Sequence, residues 1–386
     1  MKLSERVKKI EPSPTLAISS LAKKMKSEGK DVLGFGSGEP DFDTPLVIKN
    51  KIKEALEKGL TKYTPASGTI GLKKLICEKL KKDNGLEYSP SQVVVSCGAK
   101  HSLFNVIMSV VDSGDEVLIP SPYWVSYPEM VKIAGGVPVF VTCSEENGYK
   151  LEIEKLKNQI TKKTKAIILN SPCNPTGAVY NREELEQIAR LCTEKGVLII
   201  SDEIYEKIIY KPAKHYSIAL FGSDVNDNTV VINGFSKAYS MTGLRIGYMA
   251  GPKSIVDAVS KLQSHSTSNP TSIIMFGLEG AFWIDEEIEK MRKEFEKRRN
   301  YIVDRLNSIP GIECSKPDGA FYVFPNISGI GMTSFEFAEK LLNEKWVAVV
   351  PGGAFGADEN IRISYATDME TIEKGMDRIE EFVKSL

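Results

Sequence analysis

Histidine is scarce in this chain, with three in 386 residues. Histidines so few and so dispersed make no metal site, and none is expected. The six cysteines, Cys77, Cys97, Cys143, Cys173, Cys192 and Cys314, form no C-x-x-C pair. They are read as reduced, mostly core thiols of a cytosolic protein. No apolar run approaches the roughly 20 residues that span a bilayer. The basic N-terminus MKLSERVKKIEPSP lacks the apolar stretch and small-residue cleavage site of a secretory signal. Charge of one sign is missing as well: 50 Lys and Arg face 51 Asp and Glu, for a formal charge of -1. No overall field therefore draws the chain to nucleic acid or to an anionic membrane. Both glycine fingerprints for nucleotide phosphates, G-x-G-x-x-G and G-x-x-x-x-G-K-[ST], are absent. These absences leave a soluble protein of the cytoplasm with small-molecule business.

What is present is an alternation of short apolar strands and amphipathic helices. Apolar residues make up 42% and charged residues 26%, the profile of a globular chain, and the length suggests two domains. Strand-like runs are VVVS (93–96), EVLI (116–119), VPVFV (137–141), AIIL (166–169), VLII (197–200), TVVI (229–232) and IGYMA (246–250). Helical patterns fall between them at 100–111, 123–134, 182–194 and about 252–263. Nearly all-apolar strands separated by helices indicate a sheet buried on both faces, the α/β arrangement. A long charged helix follows at 285–306, and its EKRRN run reads as a solvated face. From Gly319 strands (AFYVF, VAVV, IRISYA) mix with helices, which indicates a smaller α+β domain. The division expected is an arm at 1–15, a small domain of 16–49 with 281–386, and a large domain of 50–280.

In open α/β sheets ligands gather where strands end and loops converge. After VVVS come Cys97-Gly98-Ala99-Lys100; after AIIL, Asn170-Ser171-Pro172-Cys173-Asn174-Pro175-Thr176-Gly177. After VLIIS come Asp202-Glu203-Ile204-Tyr205; after TVVI, Asn233-Gly234-Phe235-Ser236-Lys237, with Arg245 eight residues on. Each has a plain alternative. Gly98 to Lys100 could be an ordinary tight turn or, through free N–H groups and the helix dipole, a phosphate site. Asn174 could only initiate a turn. Asp202 could cap a following helix, although a carboxylate ending an apolar run needs a partner. Lys237 could decorate the surface, or it could be a nucleophile or base whose pKa a pocket lowers. Arg362, in the strand IRIS, could lie on an exposed face or offer a bidentate fork to a carboxylate.

Taken together and in order, these segments resemble the class I aminotransferases of the pyridoxal-phosphate (PLP) fold type I, most closely the bacterial aspartate aminotransferase branch. The resemblance covers essentially the whole chain. It is carried by GEPDFDTP (38–45), TKYTPASG (61–68), SPYWVSYPEM (121–130), NSPCNPTGAVY (170–180), SDEIYEKIIY (201–210), NGFSKAYSMTGLRIGY (233–248) and NIRISYA (360–366). It implies a large PLP-binding domain, a mostly parallel sheet between helices, with a smaller α+β domain. It implies that Lys237 binds pyridoxal 5′-phosphate as a Schiff base and then shuttles the substrate proton. Asp202 would pair with the pyridine nitrogen, Tyr205 and Asn174 would bond the ring oxygen, and Trp124 would stack on the ring. Backbone N–H groups at Gly98, Ala99 and Lys100, with Ser236 and Arg245, would hold the phosphate. Tyr63 would reach the phosphate of a second subunit, making a homodimer with shared sites. Many members carry serine three residues before the lysine where this chain has Gly234, which puts more weight on Ser236.

For the substrate, the resemblance implies that Arg362 grips the α-carboxylate beside Gly38, Asn174 and Trp124. Lys100 matches the lysine that takes the distal carboxylate of acidic substrates. The segment that bears a partner arginine in other aspartate aminotransferases, here 265–270, contains none. Aspartate and glutamate are thus the expected donors, with 2-oxoglutarate and oxaloacetate as acceptors. Relatives using prephenate carry a lysine just before Pro-Ser near the N-terminus, where this chain has Glu11 before Pro12-Ser13. An inward-pointing acid there would repel a carboxylate. The alternatives are an aromatic, alanine or broad-specificity aminotransferase, or a C–S lyase, on the same scaffold. A non-enzymatic PLP-binding regulator is disfavoured because no DNA-binding segment precedes the catalytic region. A nicotinamide oxidoreductase is disfavoured by the missing glycine fingerprint.

Overall fold

The computed structural model describes residues 2–12 and 14–386, apart from the side chain of Leu16. Met1 and Ser13, both in the expected arm, lie outside the described residues. The strands in chain order are β1 (Leu33–Gly34), β2 (Val93–Ser96), β3 (Glu116–Ser121), β4 (Val137–Thr142), β5 (Thr164–Asn170) and β6 (Leu198–Asp202). They continue with β7 (Thr229–Gly234), β8 (Gly247–Ala250), β9 (Tyr322–Val323), β10 (Val347–Ala348), β11 (Val350–Pro351) and β12 (Ile361–Ser364).

Seven of them form one sheet in the order β2-β8-β7-β6-β5-β3-β4, in which β8 runs antiparallel to both neighbours and the other pairings are parallel. Alternate residues supply the cores on its two faces, with Val93, Val95, Val231 and Ala250 joining a third cluster. Val94, Ile168, Ile200, Ile232 and Met249 pack against the Ala99–Val110, Ser126–Ala134 and Lys253–Ser264 helices. Ile167, Leu169 and Ile199 pack against Leu185, Ile188 and Ala189 of the Arg182–Glu194 helix. A side-chain period of two with both faces covered is what the all-apolar runs require. Edge strand β4 departs from it: at this margin of the sheet Val137 and Phe140, on opposite faces, are both exposed.

Local signals account for the helix ends. Asn181 opens its helix with a capping box, accepting from Glu184 N–H at 2.9 Å while the Glu184 carboxylate accepts from Asn181 N–H at 2.7 Å. Remaining strands make a parallel β1-β10 pair and an antiparallel β11-β12-β9 sheet. The Asp285–Asn307, Ser334–Lys345 and Met369–Lys384 helices contact these strands or one another. The EKRRN run is not a solvated face. Arg298 and Arg299 are 5% and 4% exposed. Arg298 donates to Asp41 at 2.7 Å, and Arg299 donates to the Pro317 carbonyl at 3.1 Å with its guanidinium over Tyr210. Long aliphatic stems let paired guanidinium groups lie inside where sequence shows only charge.

Candidate active site

β2, β3, β5, β6 and β7 point the same way, so their C-terminal ends share one edge of the sheet. A cavity of about 480 Å³ opens there. Gly38, Ala99, Lys100, Trp124, Asn174, Asp202, Tyr205, Ser236, Lys237, Arg245 and Arg362 all line it. Gly98 stands just behind, and Tyr63 is elsewhere, 92% exposed on its loop.

Gly98 has φ +92° and begins the Ala99–Val110 helix without a side-chain cap. A Cβ on it would lie 2.6 Å from the Arg245 guanidinium, so only glycine permits this approach. A Cβ on Gly247 would likewise collide with the Ala99 amide. The helix therefore presents the Ala99 and Lys100 N–H groups, unpaired among the described residues, beside a guanidinium. Arg245 itself has φ +50° and donates to the Thr242 carbonyl at 2.7 Å.

Asp202 ends β6, in register with Asn170 on β5. No helix follows it; a turn does, and Ile204 N–H donates to its Oδ1 at 3.3 Å while Tyr127 donates to Oδ2 at 2.8 Å. Burial outweighs these donors and raises its pKa to about 6. Lys237 follows β7, and its Nζ donates to the Gly38 carbonyl. Burial, then the charge of Arg362, lowers its pKa to about 8. Tyr205 shares a 2.8 Å hydrogen bond with the Tyr322 hydroxyl, and burial holds its own pKa well above the ordinary range.

Arg362 lies on β12, whose residues are all buried, so the exposed-face alternative fails. Its Nη1 donates to Asn174 Oδ1 at 2.9 Å and its Nη2 to the Gly36 carbonyl at 2.7 Å, while Nε has no partner among the described residues. The guanidinium sits 4.6 Å over the Tyr322 ring. Lys100 Nζ lies 4.7 Å over the Trp124 ring, and desolvation followed by Arg245 lowers its pKa.

Sequence reasoning gave no role to Tyr127, Tyr322 or Asn170. Asn170 accepts from Asn174 N–H at 2.8 Å and donates to the Asp202 carbonyl at 2.9 Å, tying two strand ends together. Tyr127, three residues after Trp124, lies within a motif already singled out; Tyr322 in AFYVF carried no distinguishing signal. Glu11 is exposed, with its N–H on Glu129 at 3.0 Å.

Residues 30–379 match the family described as aminotransferase class I and II. The chain belongs to that family. An aspartate aminotransferase of Bacillus sp. (strain YM-2) is 52% identical, covering 99% of each chain. The aspartate aminotransferase of Thermus thermophilus with maleate superposes at a TM-score of 0.95, with 40% identity and full coverage of both chains. An aromatic aminotransferase from Pyrococcus horikoshii OT3 is 44% identical at a TM-score of 0.90, over 94% of this chain and 99% of that one. The aminotransferase is accordingly a pyridoxal-phosphate-dependent transaminase acting on amino and oxo acids. Its site suits that cofactor on its own terms: a glycine cradle with unpaired N–H groups for a phosphate, a buried acid for a ring nitrogen, and an amine of lowered pKa for an aldehyde. Among the described residues no helix is long and apolar enough to cross a membrane.

Proposed function

We propose that this aminotransferase moves the amino group of L-aspartate to 2-oxoglutarate, giving oxaloacetate and L-glutamate in two half-reactions. The observation that carries the reading is the convergence of the Lys237 amine, the Asp202 carboxylate and the Arg362 guanidinium on one cavity. The relatives named aspartate aminotransferase support the choice of donor.

When bound, pyridoxal 5′-phosphate supplies an aldehyde that condenses with amines and a ring that takes up the electron pair left at Cα. Lys237 would hold it covalently. The Ala99 and Lys100 N–H groups beside Gly98, the Ser236 hydroxyl and the Arg245 guanidinium would hold its phosphate. Asp202 would keep the ring nitrogen protonated, an ion pair that also holds the acid ionised at neutral pH. Trp124 would cover the ring, with Asn174 and Tyr205 on its oxygen.

The Lys237 amine, at the cavity, would carry the proton away from the donor Cα. With its pKa brought to about 8 by burial and Arg362, a working fraction is unprotonated near neutrality. Arg362 orients the donor: Nε and the remaining terminal hydrogens face the α-carboxylate while Asn174 and Gly36 keep the fork from turning.

We read residues 50–280 as the cofactor-binding domain, 16–49 with 281–386 as the small domain, and 1–15 as the arm; β2 to β8 fall inside the first and the other strands outside it. We also read the protein as a cytoplasmic homodimer. The exposed ring of Tyr63, exposed Leu46, Val47 and Ile70 in the sequence around it, and six free cysteines support this.

The donor assignment rests on Lys100. Lys100→Ala should raise the KM for aspartate by about 10-fold or more, the size of one charge-assisted hydrogen bond, and leave that for alanine nearly unchanged. Equal effects on both donors would remove Lys100 from the assignment. The second reading, aromatic donors, is favoured by the Pyrococcus likeness. Single-turnover spectra with tyrosine outpacing aspartate would establish it.

A further inference from the structure

The turn that brings Asp202 and Tyr205 to the cavity also carries Glu203 and Glu206, which do not line it. Their carboxylates end in a buried charged cluster. Glu203 accepts from Ser201 Oγ at 3.0 Å and Ser217 Oγ at 2.6 Å, and its other oxygen lies 3.1 Å from His215 Nε2. Glu206 pairs with the Lys79 ammonium, accepts from Asn84 Nδ2 at 2.8 Å and lies 4.0 Å from His215. Asp83 completes the cluster, 3.9 Å from Lys79 and 2.9 Å from Lys207. Glu203, Glu206 and His215 have ligand atoms within 4.8 Å of one another, close enough for a metal ion. Lys79 already provides the cation those acids need, so the geometry does not call for a metal.

Stability alone does not explain such a cluster. Buried ion pairs recover little beyond their desolvation cost, and apolar replacements are often as stable. Its position does explain it. The backbone of the turn is held by Glu203 N–H on the Ile232 carbonyl at 2.9 Å and Glu206 N–H on the Glu203 carbonyl at 2.9 Å. The two carboxylates clamp the same four residues to the Ile70–Asn84 helix and to the 215–217 loop. Burial would raise the Glu206 pKa, but Lys79 and His215 outweigh it and bring it to about 2, so the carboxylate stays ionised. Other charged and titratable groups face this region as well. On the cavity side burial, with Glu203 adding to it, raises the Asp202 pKa, and Arg362, Glu39, Arg245 and Asp202 act on Lys237. On the far side are the Tyr239 and Tyr248 hydroxyls, whose pKa values burial and then Glu206 raise.

We propose that Glu203, Glu206, Lys79 and His215 are positioning residues that fix the Asp202–Tyr205 turn and keep its far side electrically balanced, setting how tightly the bound cofactor holds its protons. The proposal rests on the reading of Asp202 and Lys237 as cofactor residues. Inside a protein, one uncompensated charge close behind Asp202 acts over this range by roughly half to one pH unit.

The test is a pH titration of the visible absorbance band of the cofactor-loaded enzyme. Glu206→Gln leaves the Lys79 charge in excess and should lower the midpoint by about half a pH unit or more. Lys79→Met leaves the carboxylates in excess and should raise it. The double variant Glu206→Gln/Lys79→Met should return close to the parent. If one single variant does not fold, the other decides by the sign of its shift, with the charge-keeping Glu206→Asp expected at the parent midpoint. Shifts of one sign, no shifts, or a displaced double variant would mean packing only and overturn the proposal alone. A parent protein with no visible band overturns the cofactor reading and this proposal with it.

Discussion

Asp202 is an acid in the wrong solvent. Burial takes its pKa from 3.8 to about 6, against the pull of Tyr127 and Ile204 N–H. Between those values the folded apoenzyme binds more protons than the unfolded chain. The stabilising contribution is therefore complete below about pH 4 and is lost as pH rises through about 6. Asparagine does not titrate. Relative to the parent, the Asp202→Asn apoenzyme should gain on the order of 2–3 kcal/mol between pH 4 and 7, read from urea unfolding at each pH. A difference that stays flat with pH would show that Asp202 is ordinarily solvated. Residues such as Asp202, Lys237 and Arg362 were legible because a charged group in an apolar run contradicts its surroundings. Tyr127 and Tyr322 were not, because a buried tyrosine contradicts nothing; only the partner oxygen, far away in sequence, gives it a task. Glu203 and Glu206 were hidden for a similar reason, since Lys79 lies more than a hundred residues earlier.

At the scale of elements, the Arg182–Glu194 helix was legible to the residue from its periodicity, and the Asn181 cap found in the structure fixes its start. The VAVV run marked β10, but its partner β1 is two residues long, has no period to read and exists only through that pairing. Position 234, where many relatives have serine, is settled by strand packing. Gly234 at the end of β7 opposes Gly247 of β8, and a Cβ there would lie 2.8 Å from the Gly247 Cα and 3.1 Å from the Ile246 carbonyl. Gly234→Ser should thus destabilise the protein by about 1–3 kcal/mol, as overpacking does, and should not supply a phosphate ligand. Thermal unfolding and the cofactor release rate check this; an unchanged Tm with slower release would contradict it.

At the scale of the whole molecule, the α/β layering was legible because a sheet covered on both faces demands uninterrupted apolar strands. Along the charged Asp285–Asn307 helix the apolar stripe was legible, but burial of Arg298 and Arg299 was not, because their partners come from Asp41 and Pro317. The proposed shared sites make a prediction at this scale. Tyr63→Ala should impair its partner's site and Lys237→Ala its own. Mixed subunits of the two variants should form heterodimers with one site that has both residues intact, so refolding them together should regain activity that neither has alone. No regain, despite heterodimers seen by native mass spectrometry, would place Tyr63 outside the partner's site.

The most direct measurement is of Lys237 itself. The purified protein loaded with pyridoxal 5′-phosphate is reduced with borohydride, digested and analysed by peptide mass. The account predicts one phosphopyridoxyl group, on the peptide that spans Lys237. Stoichiometric label on another lysine, or none in a protein that transaminates at its normal rate, would contradict it.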